Sequence, residues 1–173
     1  MSFRTRLVVM GVAGSGKSSL GREIAERLDL AFIEGDDLHP AENIRKMAAG
    51  IPLDDADRLP WLDAVGKALL ASGPGAVAAC SALRRQYRDQ LRQIVGLDLA
   101  FLYLSGSQEL LTRRLEKRKG HFMGAAMLES QLAALEPPSG EPGVLEQDIG
   151  QQVSAILEKS LAWLKARADQ HGA

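Results

Sequence analysis

Gly11-Val12-Ala13-Gly14-Ser15-Gly16-Lys17-Ser18 reads G-x-x-x-x-G-K-S. An apolar run, Leu7–Met10, precedes it. A helical pattern follows from Ser18 to Leu28, with Leu20, Ile24 and Leu28 on one face. Strand, glycine loop and helix in that order is the setting in which this pattern holds phosphate. Glycines let the backbone curl with its N–H groups turned inward on an anion. The helix start adds free N–H groups and the positive end of its dipole. Gly11, Val12, Ala13, Gly14, Ser15, Gly16, Lys17, Ser18 and the adjoining Ser19 therefore form the expected nucleotide-binding segment. Lys17 reaches the β- and γ-phosphates, and the Ser18 hydroxyl is the candidate ligand of Mg²⁺. The donor is expected to be a nucleoside triphosphate, which leaves the acceptor to be found.

The chain has 173 residues, 46% of them hydrophobic, which suits one domain with a single core over residues 1–173. Its 21 basic and 22 acidic residues leave a net charge of −1. That balance gives no electrostatic case for nucleic acid or a membrane surface as partner. Cys80 is the only cysteine, so no internal disulfide can form, which fits a reducing compartment. No signal-like run precedes the first strand and no stretch is apolar enough to span a bilayer, so a cytoplasmic location is expected.

Strand-like and helix-like runs alternate, which argues an α/β fold with a mainly parallel sheet. Strands are expected at Leu7–Met10, Ala31–Glu34, Ala76–Cys80 and Leu99–Leu104, with a weaker fifth, broken by charge, at Val144–Ile149. Helices are expected at Pro40–Ala49, Leu59–Ala71, Arg84–Val95, Ser107–Lys119 and Ser154–Ala168. Ser107 is the expected N-cap of its helix. Trp61, Tyr103 and Trp163 read as core or near-core residues. The stretch from Gly120 to Gly143 is rich in proline and glycine and holds a short helical piece at Met127–Leu135. Beside a phosphate loop, such an insertion reads as a mobile lid.

Ligands of open α/β sheets sit at the C-terminal ends of the strands. After the second strand comes Glu34-Gly35-Asp36-Asp37-Leu38-His39-Pro40. A phosphoryl acceptor that is an alcohol needs a carboxylate to orient its hydroxyl and take its proton. Asp36 and Asp37 are the candidates, and Glu34 could hold metal-bound water. The alternative for the same residues is a solvated turn that caps the next helix. Arg45 and Lys46 follow, then Ser81 with Arg84, Arg85 and Arg88 after the third strand. Such basic groups suit an anionic or hydroxylated small molecule. Arg88 and Arg92, one turn apart, read as a solvated helix face. Arg114 and Arg118 share a face at the entrance to the lid, where arginines meet β- and γ-phosphate oxygens.

These segments together resemble the gluconokinases of the phosphate-loop class. The resemblance is carried by Gly11–Ser18, Gly35-Asp36-Asp37-Leu38-His39-Pro40 with Asn43 and Lys46-Met47, and Asp57-Arg58-Leu59-Pro60-Trp61-Leu62. It continues through Ala79-Cys80-Ser81-Ala82-Leu83, Arg118-Lys119-Gly120-His121-Phe122-Met123, and Ser130-Gln131 with Leu135-Glu136-Pro137-Pro138. The resemblance implies a P-loop NTPase fold of the nucleoside-monophosphate-kinase-like kind, a parallel five-stranded sheet sandwiched by helices, with a lid at about 120–143. It implies ATP-dependent phosphorylation of D-gluconate to 6-phospho-D-gluconate with Mg²⁺, by an enzyme that is often a homodimer. Lys17, Asp36 and Arg118 are then the expected catalytic groups, and Arg114 joins Arg118 on the nucleotide. Asp36, His39, Lys46, Arg84 and Gln131 fall on the substrate side. A kinase for another hydroxy acid such as shikimate, or a nucleotide-binding module without catalysis, are the alternative readings. The chain departs from the family after Pro138, where Glu141 is the lone carboxylate before Gly143. How that end of the lid is tied down is open at the level of sequence.

Overall fold

Leu7, Val8, Val9 and Met10 are buried on both sides, which only a central strand with covered faces permits. In the computed structural model, which describes residues 3–118 and 125–172, this run is β1, Arg6–Met10. It lies at the centre of a five-stranded sheet of order β2-β3-β1-β4-β5. The other strands are β2 (Ala31–Glu34), β3 (Ala76–Ala79), β4 (Ala100–Ser105) and β5 (Val144–Asp148). Every pairing is parallel, with Val8 opposite Ala78 on one side and Phe101 on the other. The expected fold class therefore holds, including the charged fifth strand. Glu146 is exposed and Gln147 buried on that edge strand, so its charge falls where one side is open to water.

Seven helices are described: α1 (Lys17–Arg27), α2 (Ala41–Ala48), α3 (Asp55–Ala71), α4 (Arg85–Val95), α5 (Gln108–Glu116), α6 (Ala125–Ala134) and α7 (Val153–His171). The side-chain alternation of β1 divides the core in two. Leu7 and Val9 join Leu20 and Ile24 of α1 and Ile156 and Leu164 of α7. Val8 and Met10 join Trp61, Leu62 and Val65 of α3 and Leu91 of α4. Helix α3 begins one turn earlier than its apolar pattern suggests. Asp54 caps it by accepting from the Asp57 N–H at 2.8 Å, while the Asp57 carboxylate accepts from the Asp54 N–H at 3.0 Å. This reciprocal box starts the helix before its first buried residue. Ser107 caps α5, as expected, by accepting from the Leu110 N–H at 3.2 Å.

The expectation that Arg88 and Arg92 face solvent is overturned. Arg88 is wholly buried, and Arg92 is 6% exposed. Both converge on Glu141, whose carboxylate accepts from Arg88 Nη2 at 2.6 Å and from Arg92 Nη1 at 3.0 Å. Arg88 also donates to the carbonyls of Ala82 at 2.8 Å and Glu136 at 2.9 Å. Arg92 stacks over the Phe101 ring at 4.7 Å. The reason is long-range pairing: the one carboxylate between Pro138 and Gly143 binds two guanidinium groups of α4, and Arg92 also pairs with Asp89 at 3.0 Å. Glu141 thereby ties down the segment that returns from α6 to β5. Residues 119–124, which include the first part of the expected lid, lie outside the described residues.

The cluster also holds the turn that follows β3. Ala82 has a positive φ of 45°, a conformation that costs a non-glycine residue roughly 1–2 kcal/mol. Its carbonyl is fixed by Arg88, and the next carbonyl, of Leu83, accepts from the Glu136 N–H at 2.8 Å. Burial alone would push the Glu141 carboxyl up, but hydrogen bonds from Arg88 and Arg92, and their charges, hold it below the usual carboxylate range. Its stabilising effect is thus complete above the ordinary value of 4.5 and is lost as the pH falls through the lower folded value. Glu141→Gln should destabilise the fold by about 3–5 kcal/mol at pH 7, because the buried Arg88 loses its counter-charge and Arg92 keeps only the half-exposed carboxylate of Asp89. Thermal melts should show this as a lowered Tm, and the gap to wild type should narrow on acidification below 4.5. An unchanged Tm at pH 7 would show that the cluster contributes nothing.

Candidate active site

The loop after β1 is shaped by three glycines of positive φ: Gly11 at 150°, Gly14 at 84° and Gly16 at 91°. At Gly14 and Gly16 this is the backbone region that side chains oppose. A Cβ at Gly11 would meet Ser15 Oγ at 2.8 Å, so the loop closes tightly on its own base. Val12 is buried beneath it in the core. The Lys17 ammonium donates to the Val12 carbonyl at 3.1 Å across the loop. Burial pulls the Lys17 pKa down, and the negative charge of Asp36 opposes this. Ser18 lies at the mouth of α1, while Ser19 is exposed and off the cleft wall.

A cleft of about 400 Å³ opens in front of this loop. Its donor end is formed by Ala13, Gly14, Gly16, Lys17, Ser18 and Arg118. Its other end is formed by Asp36, His39, Arg58, Trp61, Ser81 and Leu83. Gly35 explains the placement of Asp36. A side chain there would put Cβ 2.2 Å from the Ala79 carbonyl oxygen. Only glycine lets β2 turn this sharply against β3 into the 3-10 turn Gly35–Leu38. The carboxylate of Asp36 is thereby delivered to the cleft. Asp37 is exposed and not on its wall, and Glu34 pairs with Arg22 at 3.6 Å. Of the three acids at this strand end, Asp36 is the one that faces the cleft.

His39 also reaches the cleft, and is 8% exposed. Its ring stacks on Trp61 at 4.2 Å with an interplanar angle of 14°. Trp61 is held in turn by its indole N–H, which donates to the Gly35 carbonyl at 2.7 Å. Burial lowers the His39 pKa, countered by Asp36, so the ring is neutral near pH 7. Trp61 is thus both a core residue, as expected, and part of the cleft wall.

Two expected substrate ligands are placed elsewhere. The Lys46 ammonium donates to both Asp57 oxygens, at 2.8 and 2.9 Å, and pins α2 to the start of α3. It is absent from the cleft wall. The acid of the capping box attracts it. Arg84 stands at the N-cap of α4 with its Nε buried, and it too is off the wall. The basic residue on the acceptor side is instead Arg58, one turn into α3. It donates to the Tyr87 hydroxyl at 3.1 Å, which itself donates to Asp55. The sequence signal for Arg58 was present in Asp57-Arg58-Leu59-Pro60-Trp61-Leu62, but its position on a helix hid its direction.

The nucleotide-side arginines are both near the loop. Arg118 lines the cleft. Arg114 donates to the Ile149 carbonyl at 2.9 Å, and its Nη1 lies 3.9 Å from where a Cβ of Gly16 would be. Gln131, expected on the substrate, lines the cleft from α6 and accepts from the Ala13 N–H at 2.6 Å. It therefore links α6 directly to the phosphate loop. Cys80 lies beneath the site, but burial drives its thiol to about 12, so it is no nucleophile. Among the described residues no group of three or more His, Cys, Asp or Glu could hold a metal. A second recess, about 300 Å³, lies at the opposite end of the strands near Arg6, Asp98 and Arg167, and contains none of the motif residues.

Comparison with known proteins points to one family. An "AAA domain" family model matches residues 7–138. The thermosensitive gluconokinase of Escherichia coli K12 is 44% identical, covering 88% of this chain and 83% of that protein. The gluconokinase of Gluconobacter oxydans 621H is also 44% identical, covering 92% and 91%. A crystal structure of a gluconokinase from Sinorhizobium meliloti 1021 superimposes with a TM-score of 0.90 at 49% identity, covering 98% of this chain and 97% of that one. With a phosphate loop facing a strand-end carboxylate across one cleft, and with relatives of this identity along nearly its whole length, the chain belongs to the gluconokinase family of P-loop kinases.

Proposed function

We propose that the protein transfers the γ-phosphoryl group of ATP to D-gluconate, forming 6-phospho-D-gluconate. The observation that carries this reading is the opposition of Lys17 and Asp36 across a single cleft. The family relationship supports gluconate over shikimate as the acceptor and catalysis over mere nucleotide binding.

The donor end supplies positioning and charge. The inward N–H groups of Gly14, Gly16 and Lys17 cradle phosphate oxygens, and the Lys17 ammonium spans towards the transferred group. Arg118 adds positive charge where the transition state spreads negative charge over its oxygens. Ser18 is the residue that would hold Mg²⁺, with phosphate oxygens and water completing the shell. That fits a cation that prefers few protein ligands. Mg²⁺ would supply neutralisation of the phosphates as the leaving group departs.

At the acceptor end Asp36 orients the hydroxyl and takes its proton as the new bond to phosphorus forms. The cation on that wall is Arg58, which can meet the substrate carboxylate in place of Lys46 and Arg84. Segment 120–143 would serve as the lid. Its described part combines a helix bonded to the phosphate loop through Gln131 with a firmly anchored end at Glu141. Water would then be kept from the transfer when the cleft is filled. A cytoplasmic homodimer completes the proposal. No described helix is long and apolar enough to cross a membrane, and sedimentation equilibrium would report the dimer directly.

Lys17→Ala and Asp36→Asn should each lower kcat for gluconate phosphorylation by roughly 10²–10⁴-fold. Both variants should keep the wild-type circular dichroism spectrum. Near-normal kcat/KM in Asp36→Asn would remove that carboxylate from the mechanism. In a coupled ADP-release assay over a panel of sugar acids and shikimate, gluconate should give the highest kcat/KM. Gluconate at a hundredfold excess over Kd should also stabilise the fold by about 2.7 kcal/mol. No rate above background with gluconate would overturn the acceptor assignment.

A further inference from the structure

Asn43 is 3% exposed, lies on α2, and has no place on the cleft wall. Its Nδ2 lies 2.8 Å from the Asp57 carbonyl oxygen and 3.2 Å from His39 Nδ1. The first contact fixes the orientation of the amide, because a carbonyl can only accept, so the atom facing it must be the NH₂ group. The second hydrogen of that NH₂ then points at His39 Nδ1, which must accept it. A neutral imidazole that accepts at Nδ1 carries its proton at Nε2. His39 Nε2 has no hydrogen-bond partner among the described residues and is not one of the sealed, unsatisfied atoms. With the ring on the cleft wall, that N–H is presented to the cleft.

We propose that Asn43 is a positioning residue that locks His39 in its Nε2–H tautomer, so that His39 acts as a fixed neutral donor to an acceptor hydroxyl or carboxylate oxygen. The proposal rests on the acceptor reading given above. The Trp61 ring supplies the other constraint, since stacking fixes the imidazole plane while the Asn43 amide fixes its rotation and its proton. Asp57 closes the chain of contacts. Its carbonyl orients Asn43, and its carboxylate holds Lys46, so the α2–α3 junction acts as one unit behind the substrate. The charged groups facing the imidazole are Asp36 from the 3-10 turn and Arg58 from α3. They oppose each other, and burial favours the neutral ring. A donor of this kind loses an interaction in ground and transition state alike when it is disturbed, so its effect falls mainly on KM for the acceptor.

The test has two arms. In the full-length enzyme without substrates, long-range ¹⁵N–¹H spectra of the histidines, with His39 assigned through His39→Gln, should show Nε2 protonated and Nδ1 bare at pH 7.5. In Asn43→Ala the same ring should become a mixture of tautomers. A wild-type His39 protonated at Nδ1 would overturn the proposal without any reference to activity. In kinetics, Asn43→Ala should raise KM for gluconate about tenfold, the order of one lost hydrogen bond, with KM for ATP unchanged and kcat within about twofold. His39→Gln, whose amide NH₂ can replace the Nε2–H, should retain more gluconate affinity than His39→Asn, whose amide ends near the Nδ1 position. Equal affinity in those two variants, or an unchanged KM for gluconate in Asn43→Ala, would contradict the donor role. If Asn43→Ala does not fold, the wild-type spectrum decides the tautomer and the His39 pair decides the donor role. A wild-type enzyme that turns over no gluconate would overturn the acceptor reading, and with it the donor role, while the spectra would still report the tautomer.

Discussion

The buried carboxylate of Glu141, held between Arg88 and Arg92, is the interaction on which the active-site architecture depends. A parallel sheet with a phosphate loop at its centre has only strand ends from which to build an acceptor pocket. One of these, after β3, adopts a backbone conformation that Ala82 does not favour. Arg88 stabilises it by binding the Ala82 carbonyl from below. An isolated guanidinium could not be buried there, and Glu141 supplies the charge that permits it. The same carboxylate anchors the chain as it returns from α6, so the floor of the acceptor pocket and the end of the lid share one electrostatic support.

The cleft itself is divided by chemistry. Its donor half is mostly backbone: glycine N–H groups, a helix start and one lysine whose charge is made costly by burial. That half is suited to any triphosphate. Its acceptor half is mostly side chains, each fixed by a neighbour: Asp36 by the tight turn at Gly35, His39 by Trp61 and Asn43, Arg58 by Tyr87. Specificity for the acceptor therefore lies in packing contacts behind the wall as much as in the groups on it. Gln131 joins the donor half to α6, because its carbonyl oxygen accepts from the Ala13 N–H of the phosphate loop.

What could be read from the sequence was local. The phosphate loop, its preceding strand and the Ser107 cap each lie within a few residues, and their meaning follows from spacing. The end of β2 was legible as a ligand-facing strand end, but the residues alone allowed Asp36 or Asp37; the resemblance singled out Asp36, and the tight turn at Gly35 is what sets it on the cleft wall. Arg88 and Arg92 were misread because their partner is Glu141, about fifty residues away, and an i,i+4 pair of arginines looks like a solvent face until its partner is known. Lys46 was misplaced for the same reason. Its acid, Asp57, sits on the next helix, and the geometry of the α2–α3 junction decides whether the ammonium turns to the cleft or away from it. Arg58 and Asn43 stood in view within the family-like segments, but on a helix a residue's direction depends on packing that no short motif encodes.

The central claim is that Asp36 receives the acceptor hydroxyl opposite the phosphate loop. It is tested most directly by a crystal structure with D-gluconate and a non-hydrolysable ATP analogue bound together. The account predicts the C6 hydroxyl within hydrogen-bond distance of the Asp36 carboxylate and in line with the γ-phosphate held by Lys17. Gluconate bound with its C6 hydroxyl turned away from Asp36, in a closed ternary complex, would contradict it.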